Sequence, residues 1–117
     1  MTQTDKDLRS IQEARTLTER AYQAQQVWAT ATQQQVDQVC EAMAQAAFNA
    51  AERLGRAAAE ETGFGVPEHK KLKNQFGSKY VWESIKDIKT VGVINGDKAS
   101  GIVEIAWPMG VVAALIP

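Results

Sequence analysis

Cys40 and His69 are the chain's sole cysteine and sole histidine, so they are the first residues to weigh for nucleophilic or metal chemistry. A reactive thiolate needs an electropositive, partly open setting. No His or Arg stands at helical spacing from Cys40 to provide one. Cys40 therefore reads as a small hydrophobe within an apolar stripe. One cysteine and one histidine are too few for a protein-only zinc site. A basic flank (His69, Lys70, Lys71, Lys73 and Lys79) could meet an anion or a nucleotide phosphate. With the chain near charge balance, it reads instead as a solvated helix face. Gly63-Phe64-Gly65 is not a phosphate-binding loop, because it follows a helix and lacks the remaining motif residues. No Ser-His-Asp set, paired acids or metal cluster can be assembled from these residues.

The 117 residues suffice for one domain, and the net charge is −1. That balance gives no electrostatic case for nucleic acid or an anionic membrane. Met1 to Ser10 is polar and has no signal-peptide core, and no apolar run is long enough to span a bilayer. A single cysteine cannot form an internal disulfide, which fits a reducing cytosol.

Three helical stretches come first. Thr4 with Asp7 resembles a capping box opening a helix over 5–28. Its stripe is Ala14, Leu17, Ala21, Ala24 and Trp28, suited to packing closely on a neighbour. Thr32 and Gln35 form a second capping box, and Gln33 to Gln35 is a short polar run at that helix start. The helix behind it carries Val36, Cys40, Met43, Ala47, Ala50 and Leu54, with a possible bend near Gly55 and a continuation over Ala57 to Glu61. Gly63 is suited to the C-cap. Pro67 and Glu68 suit the first turn of a third helix, running to about Asp87. Its apolar face is Leu72, Phe76 and Tyr80, widened by Val81, Ile85 and Ile88.

From Thr90 the apolar period changes. Thr90 to Ile94 reads as a strand, Asn95-Gly96 signals a hairpin lengthened by Asp97 to Ser100, and Ile102 to Trp107 reads as the returning strand. After Pro108 and Gly110 comes an unbroken apolar run, Val111 to Ile116. Such a run reads as a strand buried on both faces, of the kind found in parallel sheets covered by helices. In open α/β sheets, ligands bind in the loop beyond such a strand, and here Pro117 is the last residue. The fold class is α/β, with N-terminal helices, a β-hairpin and the first strand of an incomplete sheet. A final apolar strand without parallel neighbours is an exposed edge, so the sequence asks for more sheet than it supplies.

Lys73 to Tyr80, Ile85 to Ile94 and Glu104 to Val112 together resemble the N-terminal part of the CoA-acylating aldehyde dehydrogenases. Glu61-Thr62-Gly63 is similar to a motif at the same place across the aldehyde dehydrogenase superfamily. Pro108-x-Gly110-Val111-Val112, followed by Ile116-Pro117, is similar to the superfamily's entry into its nucleotide-binding sheet. The resemblance runs from the first helix to Pro117 and makes residues 1–117 a partial cofactor-binding domain. It implies an oxidoreductase that forms a cysteine thiohemiacetal, passes hydride to NAD(P)+ and releases acyl-CoA. It also implies that the nucleophilic cysteine lies far downstream and the oxyanion-hole asparagine shortly after Ile116-Pro117. Neither is present in these residues, Cys40 matches no catalytic position, and no catalytic residue is assigned.

Leu115, Ile116 and Pro117 match positions that line the cofactor, largely through backbone. The resemblance implies NAD(P) and CoA for the full-length family, with no tight binding by this chain alone. It further implies a cytosolic enzyme, and it makes residues 89–107 either an oligomerisation arm or an unsupported hairpin. The expected partners are a second copy or the rest of the dehydrogenase, through that hairpin and the 110–116 strand. An inactive N-terminal fragment of the enzyme is the first functional reading. The second is a non-enzymatic short paralogue docking to a full-length dehydrogenase. The aldehyde, and the choice between NAD and NADP, are not encoded here.

Overall fold

A computed structural model describes residues 5–115. Residues 32–90 form one compact unit, and the described residues 5–31 and 91–115 group as the other.

In the unit of residues 32–90, α2 (Gln33–Asn49) opens on the expected capping box. The Thr32 hydroxyl accepts from the Gln35 backbone N–H, and the Gln35 side chain accepts in return from the Thr32 N–H. The apolar helix that follows breaks at Ala50, not at Gly55: α3 runs Ala51–Thr62. Gly63 caps α3 in the left-handed conformation (φ 68°), its N–H donating to the Ala59 carbonyl at 2.9 Å. Gly55 serves a purpose its sequence position did not reveal. It is buried where α3 crosses α4 (Pro67–Gln75). A methyl group on it would lie 2.9 Å from the Lys71 backbone nitrogen and 3.1 Å from the Pro67 carbonyl. Glycine permits the two helix backbones to approach this closely. Beside it, Ala51 is the buried hydrophobic residue of the described core, at 1% exposure.

The third expected helix is continuous in extent but not uniform. Between α4 and α5 (Val81–Ile85) lies a π-helical turn, Phe76–Tyr80, in which the Val81 N–H reaches back to the Phe76 carbonyl. A π turn disturbs the regular ladder. The Ser78 hydroxyl donates to the Asn74 carbonyl at 2.6 Å, satisfying an acceptor there. The inward face also differs from the expected stripe. Asn74, Ser78, Val81 and Trp82 are half-buried, whereas Leu72, Phe76 and Tyr80 are exposed. In α2 the half-buried face includes Val36, Cys40, Ala44 and Phe48, whereas Met43 and Ala47, and Leu54 in α3, are exposed. Of the polar groups on the third helix's inward face, Asn74 reaches the Ala51 carbonyl of α3, and Ser78 bonds back to the Asn74 and Gln75 carbonyls of its own helix.

In the other unit, α1 spans Lys6–Trp28 and is capped by Asp5, whose carboxylate accepts from the Asp7 N–H at 2.9 Å. Thr4, the expected cap, lies outside the described residues. Only Ala21 and Gln25 of α1 are half-buried, and within this unit it makes no contact with the hairpin, so the expected close packing of its stripe is not found there.

The hairpin pairs β1 (Gly92–Asp97) with β2 (Ile102–Ala106) in antiparallel register, Val93 opposite Ile105 and Asn95 opposite Glu104, with an irregularity between Val93 and Asn95. Asn95-Gly96 lies inside β1, not in the turn. The turn is Lys98–Gly101 instead, because Asp97 accepts from the N–H groups of Ala99 (2.9 Å) and Ser100 (3.2 Å), and Gly101 takes φ 70°. The expected strand from Val111 onward is not formed: 107–115 has no regular secondary structure. A strand is defined by its ladder, and among the described residues this run has no hydrogen-bonding neighbour to make one. Ile116 lies outside the described residues.

Candidate functional site

The polar chemistry of the helical unit gathers at three places. Between α3 and α4, Lys71 pairs with Glu52 at 2.6 Å, and Glu52 also meets Arg56 at 3.6 Å. The hydrogen bond from Lys71, reinforced by its charge, holds the Glu52 carboxyl below its usual range. A carboxylate so stabilised is a poor general base, and the cluster acts as an exposed clamp between helices. At the π turn, Lys79 sits 5.3 Å over the Phe48 ring, and Phe48 meets Tyr80 edge-to-face at 6.2 Å. The third place is Gln33. Its side-chain oxygen accepts from the Thr90 backbone N–H at 2.8 Å, while its amide nitrogen donates to the Thr90 hydroxyl and to Asp37.

These contacts account for much of the basic flank. Lys71 and Lys79 are engaged within the unit, and the Lys70 stem lies beside Gly65. His69 is exposed. The flank is thus a helix face partly occupied with its neighbours, where the sequence reading took it as solvated. Cys40 is a free thiol on the half-buried face of α2. Among the described residues, no group of three His, Cys, Asp or Glu side chains could hold a metal. No described helix is long and apolar enough to cross a membrane.

Of the three positions read as cofactor-lining, only Leu115 is described. It is 99% exposed and lies in a segment without regular structure. Ile116 and Pro117 lie outside the described residues. A dinucleotide needs an enclosing cleft, with backbone donors presented at a helix N-terminus or glycine-rich turn. The described residues bring no such group to Leu115, so they do not by themselves fit NAD(P) or CoA.

The positions that matter structurally and were not read from sequence are Gln33, Gly55, Asn74 and Ser78. Asn74 donates to the Ala51 carbonyl at 3.2 Å, at the break between α2 and α3. Gly55 carried a local signal, a glycine inside a helical pattern. Gln33 and Thr90 lie 57 residues apart, and nothing in either neighbourhood announces their meeting.

Comparison with known proteins finds the chain similar to acylating aldehyde dehydrogenases. Over 108 residues, covering 92% of this chain, the sequence is 39% identical to the bifunctional aldehyde-alcohol dehydrogenase of Escherichia coli. It is 40% identical over 101 residues to the succinate-semialdehyde dehydrogenase (acetylating) of Clostridium kluyveri. The fold superposes on the crystal structure of an acetylating aldehyde dehydrogenase from Geobacillus thermoglucosidasius with a TM-score of 0.79 and 48% identity, over 83% of this chain. Its homologues are the acylating aldehyde dehydrogenases, and it matches their N-terminal part. The chain spans 12% of the first of these relatives, 22% of the second and 22% of the crystallised chain. The helices and antiparallel hairpin match an incomplete α/β domain of this family. No family model matches the sequence.

Proposed function

We propose that the chain is the N-terminal region of an oxidoreductase that converts an aldehyde and CoA to an acyl-CoA with reduction of NAD(P)+, and that residues 1–117 alone do not catalyse it. The observation that carries this reading is the pairing of coverages: the alignment takes in 92% of this chain but 12% of the relative. Supporting it, Leu115 stands fully exposed, and no described residues enclose a nucleotide around it. In this reading, residues 32–90 form a supporting helical layer and residues 89–107 an arm for subunit pairing. Residues 110–116 become a strand once the remaining sheet supplies neighbours on both sides. Leu115, Ile116 and Pro117 then line the cofactor through backbone, in a cytosolic enzyme that is a homo-oligomer.

The test compares two preparations in one assay of aldehyde, CoA and NAD(P)+. The protein isolated from its source cells should produce NAD(P)H and acyl-CoA, and the 117-residue chain should produce neither. CoA-dependent oxidation by the short chain would overturn the second half of the reading, and a source protein inert towards a panel of aldehydes would overturn the first. A second reading is favoured by the exposed apolar face Leu72, Phe76 and Tyr80: a non-enzymatic module docking to a full-length dehydrogenase. It requires the source protein to have the mass of this chain and to co-purify with that larger partner.

A further inference from the structure

We propose that Asn95 is a site of spontaneous covalent modification, closing to a succinimide and opening to aspartate or isoaspartate. The Gly96 backbone nitrogen attacks the Asn95 side-chain carbonyl carbon. A C–N bond forms, the amide nitrogen leaves as ammonia, and water then opens the ring at either carbonyl. Three features of the hairpin favour the step. The residue after Asn95 is glycine, which has no side chain to obstruct the approach of its own nitrogen. The Asn95 amide is exposed, and no side-chain hydrogen bond among the described residues holds it. The other two asparagines differ on both counts. Asn49 precedes Ala50 and accepts from Gln45 at 2.8 Å, and Asn74 precedes Gln75 and donates to Ala51. Finally, ring closure requires Asn95 to leave its extended backbone conformation. Among the described residues that demands only local opening of the β1–β2 ladder, beside a register irregularity.

The product would alter the hairpin in two ways. The new carboxylate faces Glu104, its cross-strand partner, and like charges directly opposite destabilise a sheet. Isoaspartate also lengthens the backbone inside β1, which disturbs the register of every residue beyond it.

The experiment incubates the full-length protein from its source at mildly alkaline pH and follows each asparagine by peptide mapping and isoaspartate methylation. Asn95 should convert several-fold faster than Asn49 or Asn74. The variant Gly96→Ala should suppress conversion while keeping the fold, because a Cβ at Gly96 meets nothing within 4 Å and its φ is not in the left-handed region. Equal rates at the three asparagines, or an undiminished rate in Gly96→Ala protein with a native circular dichroism spectrum, would overturn the proposal.

Discussion

Residues 32–90 and the stretch from Gly92 to Leu115 both leave large apolar side chains uncovered, yet they hold their shape by different means. The helical unit is fixed by close backbone approach at Gly55 and by side chains that bond to distant backbone, Asn74 to Ala51 and Gln33 to Thr90. The hairpin is fixed by its own ladder and a turn closed by Asp97, and beyond Ala106 nothing orders the chain into a strand. A helix satisfies its backbone internally, whereas a strand needs a neighbour. The helices can therefore form from local sequence, and the terminal apolar run cannot.

The comparison breaks most readily at Gly55. Gly55→Val should destabilise the helical unit by about 1–3 kcal/mol, because the new side chain meets backbone that cannot rotate away. Gly96→Ala in the hairpin should stay within about 0.5 kcal/mol, as an unobstructed surface change. Thermal unfolding of the two variants side by side checks the contrast, and equal losses would refute it. Next, Asn74→Ala removes the side-chain hydrogen bond to the buried Ala51 carbonyl and should cost about 1 kcal/mol. Hydrogen exchange across the α2–α3 break and α4 should rise in that variant. Gln33→Ala should cost about 1 kcal/mol and speed exchange at the Thr90 amide first.

The smallest effect concerns acid. The Glu52 carboxyl is held below its usual value of 4.5. Its pairing with Lys71 therefore adds stability that is fully present above that value and fades as pH falls through the lower folded value. Asp97 is held low in the same sense, by the Ser100 hydroxyl first and then the Ala99 N–H. Lys71→Met should flatten the acid limb of unfolding for the helical unit and leave the hairpin's unchanged. An unaltered acid limb would show that the clamp contributes nothing measurable, the usual outcome for exposed ion pairs.

How much of this could be read in the chain follows the same divide. The Thr32–Gln35 capping box and the Gly63 cap were legible because each is a local rule with a local partner. The helix faces were displaced. Apolar periodicity selects Leu72, Phe76 and Tyr80, but Asn74 turns to the Ala51 carbonyl and Ser78 to carbonyls of its own helix. Asn95-Gly96 misled about the turn, since a better one built by Asp97 and Gly101 lay a few residues on. Of the positions read as cofactor-lining only Leu115 is described, and among the described residues no sheet surrounds it.

The Gln33–Thr90 bond has one more consequence. It ties the first helical residue of the unit to its last residue, so the chain enters and leaves the helical layer through a single doorway. Segments with adjoining ends tolerate being spliced into a host or having their connections rewired. Residues 32–90 thus have the geometry of a cassette, one that could be lifted out, joined at Gln33 and Thr90 by a short linker, and reopened elsewhere in a circular permutant.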